Sequence, residues 1–505
     1  MTVYQQFYNS VLVFSLLCLI PFGSRPAVRA ETVSSETRQL REQLKPSQPQ
    51  EYGSGNAADL TPLNPSPNLL DLPQSVSEVT IDLNQPITLQ QALILARRNN
   101  RELQVAELSV KRAQANVEEA RSDRYPDVGV SGQVQRSQDF VNQDSVLPAG
   151  VSQGQATVQA DYDVFTNGQR PASIRAAREA LAATEQELRI ELWDLQLEVT
   201  NDYYDLQQAQ ELINIAEAAV KNARDTFANT VALEQAGLGT RFDVLRAEVQ
   251  LADRQQQLTQ ARGQLEIARR QLAQRLSLAD TVNIDAADPV AEAGEWPLSL
   301  ESSIVAAQRY RAELAEILSE REIALLNRKI ARGSLGPFVA VSGSLSAAGS
   351  VLDSAPLGVD QLRGDVGYSV GGSVTRTLFD GGAAQAQARQ QEINAAIADT
   401  QFSNASNVIR FQIEQNYYNL ISSRRNISTN RQAVQQAEQS LGLAQLRFRE
   451  GIGTQLEVSN EEVALTRARS NLLQAIIDYN RSLVGLQRFV ADPDLALAPL
   501  APAAP

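Results

Sequence analysis

From Ala172 to Ala236 the chain contains neither Gly nor Pro, and Pro171 stands just ahead of the run, where a helix start tolerates it. An unbroken helix over this stretch is roughly 100 Å long at 1.5 Å per residue. No ordinary compact domain holds such a rod, so the fold must be elongated. Its apolar residues recur every seven positions: Leu192, Val199, Leu206, Ile213, Val220, Phe227. A sustained seven-residue period means coiled-coil packing. Ala209, Ala216 and Ala223 form a second row of small residues that lets a neighbouring helix approach closely.

The run occurs twice. Ile413, Leu420, Ile427, Val434, Leu441 and Phe448 repeat the period, and the duplication extends well beyond it. Thr88–Leu93 resembles Ser299–Ile304, and Tyr125-Pro126 aligns with Gly336-Pro337, an offset of 337 − 126 = 211. Val164-Phe165 aligns with Leu378-Phe379, Tyr203-Tyr204 with Tyr417-Tyr418, and Gly237-Leu238-Gly239-Thr240 with Gly451-Ile452-Gly453-Thr454, an offset of 451 − 237 = 214. The second copy thus has three extra residues between about 133 and 164. Each copy reads as helix, strand, strand, long helix, helix. The return helices keep the period at Val244, Leu251, Leu258, Leu265 and Leu272, and at Val458, Leu465 and Leu472.

The strands alternate apolar and polar residues. Val128, Val130 and Val134 alternate with Ser131 and Gln133; Ala156, Val158, Ala160, Tyr162 and Val164 with Gln155, Thr157, Gln159, Asp161 and Asp163. In the second copy Val339, Val341 and Leu345 alternate with Ala340, Ser342 and Ser344, and Tyr368, Val370 and Val374 with Ser369, Ser373 and Thr375. Two-residue alternation over about ten residues is the pattern of a membrane β-barrel. A soluble hairpin packed on helices has the same period, but four such segments placed alike in both copies favour the barrel.

The ends read differently. Val11–Phe22 is apolar but short, and small residues follow up to Ala30, so residues 1–30 are expected to be a cleaved signal peptide. No Lys or Arg precedes the apolar run; a retained membrane anchor is the other reading. Leu17 before Cys18 argues against a lipoprotein signal. Residues 31–85 are rich in Pro, Ser, Gln and Asn and read as a flexible extension without a core, and 491–505 as an Ala/Pro tail. The structural repeats are expected at 86–290 and 298–490. There is no histidine and one cysteine, Cys18, which excludes most zinc sites, Cys–His nucleophiles and disulfide frameworks. No catalytic residue, cofactor or metal site is expected. A net charge of −14 argues against nucleic-acid binding.

Four strands cannot close a barrel, and an open sheet edge is not tolerated in lipid. The smallest common membrane barrel has about eight strands, whose side chains nearly fill it. A water-filled passage therefore needs several chains around one rotational axis. The double repeat, long heptad helices, alternating hairpins and Gly-x-Gly-Thr turns, over about residues 86–490, resemble the TolC family of outer-membrane efflux proteins. The resemblance implies a mainly α fold with a membrane β part: a homotrimer with a twelve-stranded outer-membrane β-barrel in the lipid, continued by a periplasmic α-helical coiled-coil barrel closed at its tip. It also implies docking to a periplasmic adaptor and an inner-membrane efflux pump or ABC exporter, with cargo passing outward. A periplasmic coiled-coil adaptor or scaffold without a barrel is the alternative, and it leaves the four strands unexplained.

The duplicated turns Gly237, Leu238, Gly239, Thr240 and Gly451, Ile452, Gly453, Thr454 are the candidate tip. Their glycines suit a helix end, their threonines can cap the next helix, and Asp243 and Glu457 would complete capping boxes. The resemblance implies that these turns meet the adaptor. It also implies an acidic constriction on the last helix, where Glu462, then Glu461, are the candidates; Ser459 stands where an acid is common. Phe165 and Phe379 are expected to end the second strands as wedges at the barrel–helix junction. Tyr203-Tyr204 and Tyr417-Tyr418 are expected to pack.

Overall fold

The computed structural model describes residues 63–64, 73–81, 83–138, 150–353 and 361–492. The signal segment 1–30, most of the 31–85 extension and nearly all of the tail lie outside them. The first repeat runs β1 (Leu83–Ile87), α1 (Leu89–Asn99), α2 (Arg101–Ser122), β2 (Asp127–Gln138), β3 (Gly150–Phe165), α3 (Gln169–Gln235), α4 (Arg241–Arg275) and β4 (Val282–Ala286). The second runs α5 (Leu300–Tyr310), α6 (Ala312–Gly333), β5 (Phe338–Asp353), β6 (Gln361–Thr375), α7 (Ala383–Arg449) and α8 (Gln455–Val490). The long helices α3 and α7 each have 67 residues. No helix among the described residues is long and apolar enough to cross a membrane.

The helix expected at the head of each repeat is two helices. The chain leaves helical geometry at Asn100 (ψ 130°) and at Arg311 (ψ 120°), which occupy equivalent positions. Asn100 donates from Nδ2 to the Arg275 carbonyl at 3.2 Å, and Arg311 from Nη1 to the Phe489 carbonyl at 3.4 Å. Each break residue thus satisfies a carbonyl near the C-terminal end of its repeat's return helix, where no intrahelical partner exists.

The four long strands form one antiparallel sheet in the order β2-β3-β5-β6. Because side chains alternate, the register sorts them into two faces. Val130, Val158, Leu345 and Tyr368 lie opposite one another across all four strands, and the next row holds Ser131, Thr157, Ser346 and Gly367. One face is apolar and exposed; the other is polar. β2 and β6 are open edges.

The helices follow the same order. α3 packs between α2 and α6 near the sheet, and between α4 and α8 toward the far end; α6 and α8 in turn pack on α7. The edges of the helical layer are therefore α2 and α4 on one side and α7 on the other. β1 and β4 pair in parallel, and their core joins Ile87, Leu95, Tyr203, Leu206, Leu272 and Ile284 halfway along α3. Leu63 is fully buried in this core, and Arg98 donates to Asn64. This corrects the reading of 31–85 as a stretch with no core: Leu63 and the start of β1 belong to one. The Tyr203 hydroxyl donates to the Ile87 carbonyl at 3.0 Å or the Asp288 carboxylate at 2.8 Å. Tyr203 and Tyr204 pack as expected, whereas Tyr418 is exposed.

Candidate functional site

The tip turns are built from two glycines with different tasks. Gly237 and Gly451 both have φ +73°, the left-handed conformation that ends a helix, in open space. Gly239 and Gly453 need smallness instead. A Cβ on Gly239 would lie 3.2 Å from the Glu234 nitrogen, and one on Gly453 would lie 3.0 Å from the Arg447 Cβ. The backbone closes tightly there: Leu238 and Gly239 donate to the Leu233 carbonyl at 2.9 and 3.1 Å, and Ile452 and Gly453 to the Arg447 carbonyl at 3.0 Å each. The residue between the glycines is pushed outward, leaving Leu238 79% and Ile452 71% exposed. Two rigid knobs, each tipped by an aliphatic side chain, result.

Both threonines cap. The Thr240 hydroxyl accepts from Asp243 N, and Thr454 from Glu457 N, each at 3.2 Å. Asp243 completes its capping box, accepting from Thr240 N at 3.3 Å. Glu457 does not, which corrects that expectation. Its carboxylate lies 3.9 Å from Arg447, which stands where the first repeat has the uncharged Leu233.

Ser459, Glu461 and Glu462 lie on the second and third turns of α8 and do not share one surface. Ser459 and Glu461 are partly exposed, but Glu462 is only 4% exposed in the single chain. It accepts from the Thr226 hydroxyl at 2.7 Å and from Gln250 Nε2 at 3.1 Å, fastening α8 to α3 and α4. The expectation that it faces an open aperture is corrected. Glu462 falls four residues after Val458 and three before Leu465, so the heptad itself turns it into the seam. Burial pushes its carboxyl above the ordinary range, with the Thr226 hydrogen bond and Arg254 opposing and Asp225 adding. Thr226 and Thr230, buried opposite, are seam residues that the sequence reading missed; their signal was two threonines one turn apart on a core stripe.

Phe165 ends β3 as expected, after an irregularity between Asp163 and Phe165 keeps it paired with Val339. Phe379 does not end a strand. β6 stops at Thr375, opposite Phe338 at the start of β5, and no paired strand continues beyond. Phe379 is instead exposed in the connection to α7. An ion network around the buried Arg488 and Arg311 was also missed. Arg488 donates to Asp194 at 2.6 Å and to Glu313 at 2.8 Å, and Arg311 donates to Glu313 at 2.8 Å. Nearby, burial and then Glu187, Glu320 and Glu313 push Glu316 up to about 7.

A four-stranded sheet with one apolar and one polar face, joined to two 67-residue helices that lead to capped knobs, defines a class: an exposed apolar strand face with helices that project far beyond it. Residues 92–277 and 304–491 match the Outer membrane efflux protein family, and the chain belongs to it. It is thus an outer-membrane protein that extends into the periplasm, and the scaffold alternative falls. The chain is 28% identical over 270 residues to the cation efflux system protein CusC of Escherichia coli, a match spanning 51% of this chain and 55% of CusC. It therefore spans about half the length of that relative. Outer membrane efflux protein BepC of Brucella suis is 24% identical over 391 residues, covering 77% of this chain and 82% of BepC. A crystal structure of CusC superposes with a TM-score of 0.69 at 18% identity, over 88% of this chain and 99% of that one, a likeness of fold.

Proposed function

We infer that the chain is one third of a homotrimeric channel-tunnel that receives cargo from a periplasmic adaptor and an inner-membrane pump or ABC exporter and releases it outside the cell. The observation that carries this reading is the sheet with two open edges and one apolar face. Unpaired edges are costly in lipid and vanish only on closure. Two copies would give about eight strands, filled by their own side chains, whereas three leave a passage lined by the polar face. The apolar face then meets outer-membrane lipid. The knobs at Leu238 and Ile452 are the adaptor contacts, since they are the exposed aliphatic groups farthest from the sheet. The inner tip is narrowed by α8, with Glu461 and Ser459 facing the axis and Glu462 holding the α8–α3 seam. Selection of cargo rests with the pump.

Replacing Gly237 and Gly451 together with valine tests the docking step. Left-handed backbone is strained for any β-branched residue, so both knobs deform while the sheet is untouched. Export and adaptor crosslinking should fall at least tenfold with trimers still in the outer membrane. Unchanged crosslinking would overturn the assignment.

A further inference from the structure

Two heptad rows of α8 are buried near the tip. Val458 and Leu465 pack into one cluster with Leu441 and Phe448 of α7. The second row reads Gln455, Glu462, Arg469, Ile476, Leu483 and Val490, polar in the tip half and apolar beyond. On the reading of this tip as the duct's inner gate, we propose that Gln455 is the residue that biases it. Its buried amide has no partner and sets how readily α8 parts from α3 at the turns.

Gln455 is only 3% exposed, yet neither its Nε2 nor its Oε1 has a hydrogen-bond partner among the described residues. The heptad register gives the reason. α3 runs toward the tip and α8 away from it, since Arg488 meets Asp194 and Glu462 meets Thr226. One heptad toward the tip therefore leads from Glu462 to Gln455 and from Thr226 to Leu233. Leu233 offers an aliphatic side chain, and its carbonyl is already taken by the N–H groups of Leu238 and Gly239. The Thr230 hydroxyl, one turn before it, is committed to the Thr226 carbonyl at 2.8 Å.

The turn itself does not demand this arrangement. The equivalent of Gln455 in the first repeat, 455 − 214 = 241, is Arg241, which is exposed. Nor does the seam lack the means to satisfy a polar group: Glu462, on the same row, has two partners.

An amide taken out of water without replacement bonds destabilises the packed state. When the α3–α4 and α7–α8 hairpins part, both of its ends regain water. Gln455 thus favours separation at the turns. The Glu462 clasp resists it one heptad further in, and the apolar row from Ile476 onward resists it beyond. The seam is weakest at its end, so parting starts at the turns.

The test is Gln455→Leu in the full chain, which removes both polar atoms and leaves a side chain that matches Leu233. Hydrogen exchange of the detergent-purified protein should slow about tenfold or more in the second and third turns of α8. In planar bilayers the time spent in the open state should fall by about the same factor. Gln455→Glu, with a charge in the same place, should move both readouts the other way. Arg241→Leu, at the exposed equivalent, should leave exchange in α4 unchanged. Unchanged or faster exchange in Gln455→Leu would show that the amide is satisfied in the protein and would overturn the proposal. Slower exchange with unaltered gating would leave the seam as described, remove the tip as the gate, and overturn the role of Gln455 in it.

Discussion

The two repeats share a backbone plan and differ in what their seams are made of. α3 lies in the middle of the helical layer, flanked on both sides, and its partners include buried charges: Arg488 bridges Asp194 and Glu313, and Glu462 is clasped by Thr226 and Gln250. α7 lies at the edge and exposes Val408, Phe411 and Tyr418 where α3 has Asp194, the half-buried Leu197 and the buried Tyr204. Buried ion networks add little net stability over apolar packing, but they punish mispairing, because a lone buried charge is costly. One backbone repeat thus carries two kinds of helix surface. Within the chain the seam between the repeats is held in part by charge, whereas the α7 edge exposes apolar side chains.

Arg488 is the buried centre of the charged seam. Arg488→Met removes a buried guanidinium and leaves the half-exposed Asp194 and the partly buried Glu313 with fewer partners, and should cost about 1–3 kcal/mol, read as a drop in thermal unfolding temperature. An unchanged melting temperature would mean that the internal seam does not depend on charge.

Glu462 is the buried acid of the same seam near the turns. Glu462→Ala leaves Thr226 and Gln250 without their buried acceptor and should cost about 1–3 kcal/mol. The pH dependence has a definite sign. The folded pKa lies above the unfolded one because of burial, so the folded chain holds this proton more tightly. Stability from this residue is fully present below the ordinary carboxylate range and is lost as pH rises through the folded value. Glu462→Gln should therefore match the unaltered protein at acid pH and exceed it near neutrality. Melting curves of the two that stay parallel across pH 4–8 would remove the titration from the seam.

Much of this was legible in the sequence, and the reasons are physical. The absence of Gly and Pro between Ala172 and Ala236, the heptads and the two-residue alternation each report a local period that packing later uses. The glycines of the tip were legible because only glycine takes φ +73° without strain. The breaks at Asn100 and Arg311 were not, since neither Gly nor Pro marks them; a side-chain bond to a distant carbonyl holds each. β1 hid because Pro86 sits within it and Pro-rich residues precede it. Glu462 was misplaced although the heptad that places it was already counted: acidity suggested an open face, and the period, which decides, put it in the seam.

The smallest effect separates the two tip turns. Asp243→Ala removes a reciprocal capping bond and should cost about 0.5–1.5 kcal/mol. Glu457→Ala removes an exposed contact to Arg447 and should cost about 0.2–0.5 kcal/mol, toward the low end for surface ion pairs. Hydrogen exchange at the first turns of α4 and α8 reads both. Equal acceleration at the two would make the turns energetically equivalent despite their different side-chain bonds.

In the proposed channel one chain supplies part of a duct, and only the closed assembly conducts. Sedimentation of the detergent-purified protein, with each fraction then recorded in planar bilayers, tests it most directly. Ion conductance should follow the trimer fraction alone, each trimer acting as one pore. Conductance carried by a monomer fraction, with its four strands sufficient to form the pore, would contradict it.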